Sequence, residues 1–254
     1  MKTGRVIGMP VTVGATADVA DAIIREVHLG RGGYVCVANV HMVTTAQRDK
    51  RLHDIMEKAV LVAADGLPLI WRLKRTGSSE AARVTGTDLT LKLCEMAAAG
   101  GMAVCFYGGS PEAIRALQES ITTRFPSLKV AFYESPPLLP EVPEVDQEVV
   151  DRINESDARI VFVGLGCPKQ EFWMAAYRPH LSVVLVGVGA AFDFIAGTVK
   201  RAPVWMQRCG LEWLHRLAVD PRKTWKRYAT TNPLFVWLVI WESLKLKANK
   251  SDRE

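Results

Sequence analysis

Residues 159–176 read RIVFVGLGCPKQEFWMAA: a short apolar run, a glycine-rich turn and an amphipathic stretch. The run Arg159–Val163 is rich in Val and Ile and lacks polar alternation, which is typical of a strand covered on both faces. The stretch Pro168–Ala176 has the apolar spacing of a helix with one face on a sheet. The segment therefore predicts a strand, a turn and a helix, the repeating unit of a parallel sheet.

The same alternation runs through the first 200 residues. The predicted strands are Tyr34–Ala38, Ala103–Tyr107, Arg159–Val163 and Val183–Val188, and the predicted helices are Ala17–His28, Asp88–Ala99, Pro111–Arg124 and Pro168–Ala176. Ser110 before Pro111 supplies a helix cap, and Thr87-Asp88 is predicted to cap the preceding helix of this list, Asp88–Ala99. These patterns predict the α/β class, with a mostly parallel sheet and helices on both faces.

The chain changes character near Ala202-Pro203. Residues 201–254 contain 11 Lys and Arg against 5 Asp and Glu, a net charge of +6, whereas residues 1–200 have a net charge of −1. Five of the seven tryptophans lie there: Trp205, Trp213, Trp225, Trp237 and Trp241. We therefore expect two parts, an α/β domain over residues 1–200 and a basic helical appendage over residues 201–254, in which Asp220-Pro221 begins a helix.

Basic residues interleaved with tryptophan suit an anionic membrane surface. They suit equally well a solvated basic helix whose tryptophans pack on the main domain, and they suit nucleic acid less well. The most apolar late run, Leu234–Trp241, has 8 residues. As a helix it would span about 12 Å, against roughly 30 Å of hydrocarbon, so we expect no membrane crossing.

Five cysteines, at 36, 94, 105, 167 and 209, are odd in number and widely spaced. That argues against a disulfide framework or a zinc site and predicts small buried apolar residues in a reducing cytosol. The N-terminus has no apolar segment of the kind found in signal peptides.

Polar and glycine-rich loops follow the predicted strands, where ligands bind in open α/β sheets. Glycine lets a backbone approach a phosphate, although each glycine alone is as well explained by a turn. Neither the Gly164 loop nor the Gly187 loop completes G-x-G-x-x-G, and both the P-loop motif and Asp-x-Asp are absent. Dinucleotide-dependent oxidoreductases and the usual kinases and ATPases are therefore disfavoured.

Asp65 follows the apolar run Val60–Val62 and precedes Gly66 and Pro68. A carboxylate in a partly dry pocket would have a raised pKa that suits a general base. The alternative is an Asp that caps the helix beginning at Leu67. Asn39 and His41 leave the same choice open, because either could be a turn residue bonded to backbone.

Read together, these segments resemble the WecG/TagA/CpsF family of bacterial glycosyltransferases, glycosyltransferase family 26. The matching segments include NVH at 39–41, ADGLP at 64–68, RVTGTD at 83–88, GGSP at 108–111, VGLGCPKQE at 163–171, GVGAAFD at 187–193, RAP at 201–203, GLEW at 210–213 and DPR at 220–222. The resemblance covers roughly residues 5–230. It implies a Rossmann-like domain with a helical C-terminal appendage.

The resemblance also implies an activity. Such enzymes transfer N-acetylmannosamine or a related hexose from a UDP-sugar, with inversion, to a sugar on undecaprenyl diphosphate. They use no metal and no cofactor and act at the inner face of the cytoplasmic membrane in cell-surface polysaccharide synthesis. Other members transfer other hexoses for capsule or exopolysaccharide, and a non-catalytic membrane adaptor is the rival of another class. Nucleic acid is not an expected partner, and homo-oligomers are left open.

The resemblance also implies roles for individual residues. Asp65 matches the family's general base, and Asn39 is placed beside it as a catalytic residue. The residues expected to bind substrate are His41, Arg83, Gly108, Gly109, Gly166, Lys169, Gln170, Glu171, Gly189, Arg216, Arg222 and Arg227. Of these, the last three are expected at the donor diphosphate, with Lys223 and Lys226 facing lipid headgroups. The family often has a hydroxyl residue where this chain has Val37, which leaves the donor sugar open.

Overall fold

The structure, a computed structural model, describes residues 1–251, with the side chains of Lys223 and residues 246–251 outside the described part. The strands are β1 Thr3–Val6, β2 Met9–Thr12, β3 Gly33–Ala38, β4 Leu61–Ala64, β5 Ala103–Gly108, β6 Lys129–Glu134, β7 Ala158–Gly164 and β8 Val184–Gly187. The helices are α1 Thr16–Leu29, α2 Val40–Ala46, α3 Lys50–Lys58, α4 Leu67–Arg75, α5 Gly86–Ala99, α6 Pro111–Arg124, α7 Gln147–Glu155, α8 Lys169–Tyr177, α9 Ala191–Ala196, α10 Val204–Cys209, α11 Glu212–Val219 and α12 Pro221–Ser251, with a 3₁₀ turn at Arg178–His180.

Six strands form one parallel sheet in the order β4-β3-β8-β7-β5-β6. Successive residues of each central strand point to opposite faces of the sheet and pack into two separate hydrophobic cores. In β3, for example, Cys36 packs with the hairpin, α2–α4 and α8, whereas Val35 packs with α1, α5 and α9 on the other face. The predicted α/β class, with a Rossmann-like parallel sheet between helices, is confirmed.

The predicted elements are found with small changes at their ends, and α6 has the predicted bounds. The Ser110 hydroxyl accepts a hydrogen bond from the backbone N–H of Ala113 at 3.2 Å, as a helix cap does. The predicted Thr87-Asp88 cap is wrong. Helix α5 begins at Gly86, and its cap is Thr85, whose hydroxyl accepts from the Asp88 N–H at 3.1 Å.

The hairpin β1–β2 shields the outer edge of the sheet beside β4, because the Thr12 hydroxyl accepts a hydrogen bond from the Val62 N–H at 3.1 Å. Three cysteines are buried as expected, but Cys167 is only partly buried and Cys209 on α10 is exposed, so the burial prediction is wrong for Cys209. We call α10, α11 and α12 together the C-terminal helices.

The C-terminal helices lie beside the carboxyl end of β3, where α12 packs on α2 and inserts Phe235 into the core. Helix α12 begins at Pro221, as predicted. All five late tryptophans are between 40% and 60% exposed, so none is buried against the main domain. Within residues 1–251, no helix is both long and apolar enough to cross a bilayer.

Candidate active site

A cavity of about 1010 Å³ opens at the carboxyl ends of β3, β4, β7 and β8. Each of these strands is followed by a predicted site residue that lines the cavity: Asn39, Asp65, Gly166 and Gly189. Helices α4, α11 and α12 supply residues on the other side. Ligands of open α/β sheets bind in this position, outside the carboxyl ends of the strands.

Asp65 is fixed by the sheet and by one arginine. Its backbone N–H donates to the Ala38 carbonyl at 2.8 Å, which continues the β3–β4 pairing by one residue. The N-cap of α4 is Gly66, with no side-chain cap bond, so the helix-capping alternative for Asp65 is wrong. Arg83 Nη2 instead donates to Asp65 Oδ1 at 3.0 Å.

Burial raises the pKa of the Asp65 carboxyl above its usual value. Arg83 opposes this by lowering the pKa, and the Glu212 carboxylate raises it again. Desolvation disfavours the charged form and a guanidinium favours it, so the net direction shows that burial is the larger effect here. The side chain is still 29% exposed, which leaves it accessible from the cavity.

Arg83 belongs to a chain of ion pairs that reaches the C-terminal helices. Its Nη2 lies 2.6 Å from Glu212 Oε2 on α11. Glu212 Oε1 lies 3.9 Å from Arg201 Nε, and Arg201 Nη1 lies 3.1 Å from Asp88 Oδ1 on α5. Glu212 and Arg201 both line the cavity, although the sequence analysis named neither as a site residue. Their signal was available, because both occur in segments that matched the family.

Asn39 and His41 lie at the start of α2. Asn39 is the N-cap, and its side-chain oxygen accepts from the Met42 N–H at 3.1 Å, so the amide nitrogen is the group left for a ligand. His41 Nδ1 lies 3.4 Å from the Thr45 hydroxyl. Burial, followed by the charge of Arg227, lowers the pKa of His41 to about 4. The ring is therefore neutral at pH 7 and would act through hydrogen bonds rather than charge.

Gln170 and Glu171, at the start of α8, are both buried. Gln170 Nε2 donates to Glu171 Oε1 at 2.7 Å. Among the described residues, Gln170 Oε1 accepts no hydrogen bond. Gly189 lies close to this oxygen, since a Cβ added at Gly189 would be 3.6 Å from it. Burial raises the pKa of Glu171 to about 7. Gln170 lines the cavity and Glu171 does not, so Glu171 holds the orientation of the Gln170 amide.

Two of the three predicted diphosphate arginines line the cavity. The guanidinium of Arg216 lies 5.4 Å from the Phe194 ring centroid, and Arg227 Nη2 donates to the Tyr228 hydroxyl at 3.1 Å. Arg227 Nε is buried without a hydrogen-bond partner. Within the described residues, neither arginine forms an ion pair, in contrast to Arg83 and Arg201. Their charges are therefore available to an anion.

Other predicted residues lie outside the cavity lining: Gly108, Gly109, Lys169, Glu171 and Arg222. Gly108 ends β5, one strand further from the site, and has φ of +123°. A Cβ there would lie 2.6 Å from the Gly164 carbonyl carbon, so this glycine serves the close packing of β5 on β7. Lys169 Nζ donates to the Leu139 carbonyl, and Arg222 is exposed at the start of α12.

A second part of the cavity, between α4 and α12, was not foreseen. Trp71, Lys74 and Arg75 line it from α4, and Val236 and Ile240 line it from α12. The two helices are joined here by Arg72, whose Nη2 lies 2.8 Å from Glu242 Oε2. The surface combines apolar side chains with Lys74 and Arg75, which have no ion-pair partner in the part of the chain that the structure describes, and no sequence motif indicated it.

Comparisons with known proteins agree with this geometry. The sequence profile described as the glycosyl transferase WecG/TagA/CpsF family matches residues 4–249. Proteins named N-acetylglucosaminyldiphosphoundecaprenol N-acetyl-beta-D-mannosaminyltransferase are similar over most of their length. The one from Bacillus spizizenii is 32% identical over 83% of this chain and 79% of its own, and that of Bacillus subtilis strain 168 is 29% identical over 85% and 82%. The one from Staphylococcus aureus strain NCTC 8325 is 27% identical over 85% of this chain and 83% of its own. The chain belongs to the WecG/TagA/CpsF family of glycosyl transferases.

Proposed function

We propose that this glycosyltransferase moves N-acetylmannosamine, or a closely related hexose, from a UDP-sugar to N-acetylglucosamine carried on undecaprenyl diphosphate. The acceptor and sugar are those in the names of its relatives. The observation that carries the proposal is a partly buried carboxylate, Asp65, in the same cavity as Arg216 and Arg227, which form no ion pair among the described residues. That pairing suits a reaction in which a hydroxyl loses a proton while a diphosphate leaves.

In the proposed mechanism Asp65 removes the proton from the acceptor hydroxyl as its oxygen forms a bond to the anomeric carbon. The bond from that carbon to the UDP oxygen breaks, and the electron pair leaves with UDP. Attack from the side opposite the leaving group inverts the anomeric centre. The raised pKa of Asp65 supports this role, because a stronger base accepts the proton more readily near neutral pH.

Negative charge on the leaving UDP would be met by Arg216 and Arg227. Guanidinium groups bind diphosphate oxygens through paired hydrogen bonds, and donors positioned before reaction stabilise developing charge most effectively. The absence of Asp-x-Asp from the sequence supports a metal-independent reaction. In this proposal residues 1–200 are the catalytic domain, and residues 201–254 are an appendage that completes the diphosphate site.

We place the enzyme at the cytoplasmic face of the membrane, bound peripherally through the C-terminal helices. Exposed tryptophans and cations lie side by side there. Lys226 Nζ is 5.8 Å from the Trp225 ring centroid, and Lys245 Nζ is 3.6 Å from that of Trp241. Tryptophan and lysine together favour the headgroup region of anionic bilayers. The side chain of Lys223, expected to join them, lies outside the described residues.

The part of the cavity between α4 and α12 supports a lipid acceptor. Trp71, Val236 and Ile240 are each more than half exposed, although all three line the cavity. Apolar surface of this kind suits hydrocarbon, and Lys74 and Arg75 on the same wall suit a phosphate. The donor sugar is the least constrained part of the proposal, because Val37 lines the cavity where the family often has a hydroxyl.

Ligand-dependent thermal stabilisation tests the donor class. UDP-N-acetylmannosamine at about 100 times its Kd would stabilise the folded state by about 2.7 kcal/mol, because ligand binds only the folded protein. UDP alone should also stabilise, and NAD should not. Stabilisation by NAD instead of UDP would replace this proposal with an oxidoreductase, and no stabilisation by any UDP-sugar would favour a non-catalytic adaptor.

A further inference from the structure

One arginine in the site contacts two carboxylates with the same nitrogen. Arg83 Nη2 lies 3.0 Å from Asp65 Oδ1 and 2.6 Å from Glu212 Oε2. All three side chains are between 20% and 29% exposed, in the wall of the cavity. The shorter contact is the one to Glu212, which comes from α11 and not from the strand ends.

The charged groups that face Asp65 come from three elements. Arg83, just before α5, and Arg201, just before α10, lower the Asp65 pKa. Glu212, the first residue of α11, raises it. Asp88 binds Arg201 at 3.1 Å. His41, Arg216 and Arg227 line the same cavity.

A lone arginine bound to a carboxylate makes it a weaker base, commonly by one to three pKa units. A second carboxylate on the same arginine opposes that effect in two ways. It draws the guanidinium toward itself, and its own negative charge disfavours a second negative charge nearby. The Glu212 charge acts on the Asp65 pKa in this direction and raises it.

We propose that Glu212 is a positioning residue for the transfer reaction, which binds Arg83 and so limits how far that guanidinium weakens Asp65 as a base. The inference rests on the proposed function, because it takes Asp65 as the base. It adds that the base reaches its working strength only when α11 is docked on the sheet. The C-terminal helices therefore influence proton transfer as well as the leaving group.

The test is the pH dependence of kcat/KM in the Glu212→Gln variant of the full chain, with a short-chain lipid diphosphate acceptor. The amide keeps the size of the side chain and a hydrogen bond to Arg83 but removes the charge. We expect the acid limb of the profile to move to lower pH, and the plateau to fall by roughly 3-fold for each pKa unit lost. An acid limb that stays at the wild-type pH would overturn the inference.

The matched control is Glu242→Gln, which removes a carboxylate from Arg72 at another contact of the C-terminal helices without touching Arg83 or Arg201. Its acid limb should stay at the wild-type pH, whereas a purely structural role for Glu212 would give the two variants the same profile.

Glu212→Asp keeps the charge and should restore the wild-type limb, and its failure to do so would also overturn the inference. If Glu212→Gln does not fold, Arg83→Gln is measured instead. It should move the acid limb to higher pH, because it removes the stronger of the two arginine charges that lower the Asp65 pKa. An unmoved limb in that variant would equally refute the account. Failure of the proposed function itself is recognised separately, by Asp65→Asn keeping full activity.

Discussion

Replacing Asp65 with Asn exchanges one carboxylate oxygen for an NH₂ group and so removes the proposed base. Loss of a positioned general base slows a reaction by about 10²–10⁴-fold, which corresponds to about 2.7–5.5 kcal/mol of transition-state stabilisation. The substitution should not unfold the protein, because Arg83 keeps its contact with Glu212 at 2.6 Å and the Asn carbonyl can still accept from Arg83.

The same variant should be as stable as the wild type or slightly more stable at neutral pH. Burial raises the folded-state pKa of Asp65 above its unfolded value. The protonated form is therefore favoured by folding, and that contribution is lost as pH rises through the folded-state pKa. A neutral amide avoids the loss, so we expect an unchanged or higher melting temperature at pH 7.

The assay measures initial rates with saturating UDP-sugar and a water-soluble acceptor, alongside thermal melting. Asp88→Asn is the matched control, because Asp88 also pairs with an arginine at 3.1 Å but does not line the cavity. It should transfer sugar at close to the wild-type rate. An Asp65→Asn enzyme that melts normally and turns over at near-full rate would remove Asp65 from the mechanism.

Three further predictions concern metal, histidine and the membrane. Activity should survive EDTA, because arginines bind the diphosphate, and a strict requirement for Mg²⁺ or Mn²⁺ restored by adding the ion would contradict this. His41→Asn should lessen the loss of stability between pH 7 and pH 4 in denaturant titrations. The folded-state pKa of His41 is lowered to about 4, so protonation of the unfolded chain below pH 6.5 favours unfolding. Parallel curves of unfolding free energy against pH for the two proteins would refute this. Lys226→Glu should weaken binding to anionic vesicles by roughly tenfold without slowing transfer to a soluble acceptor. Lys129→Glu, at the distant start of β6, should leave vesicle binding unchanged. Equal effects of the two substitutions would argue against docking through α12.

The sheet could be predicted from the sequence because its central strands are buried on both faces. Runs such as Tyr34–Ala38 must be apolar throughout, and that pattern is visible in a single sequence. Strand β6 was not predicted, because it lies at the sheet edge and its residues alternate between exposed and half-buried. The Thr85 cap was missed because Thr87-Asp88 offers the same residue types two positions later.

The site could be predicted where it follows strand ends. Asp65, Asn39 and Gly189 come directly after strands that are neighbours in the sheet, so parallel pairing brings them together. Gly108 follows the same rule but ends a strand beyond β7, and strand order cannot be read from spacing. Glu212 was missed although it lies in a segment that matched the family, because its contact with Arg83 joins residues 129 positions apart.

The proposed reaction is transfer of N-acetylmannosamine, or a closely related hexose, from its UDP-sugar to N-acetylglucosamine carried on a lipid diphosphate. The most direct measurement is to incubate the purified protein with UDP-N-acetylmannosamine and a short-chain acceptor of that kind, then to determine the product by mass spectrometry and NMR. The account predicts an acceptor extended by one N-acetylmannosamine, with the anomeric configuration opposite to that of the donor, and no such product from Asp65→Asn. Retention of the donor configuration, or the absence of product with both UDP-N-acetylmannosamine and related UDP-hexoses, would contradict it.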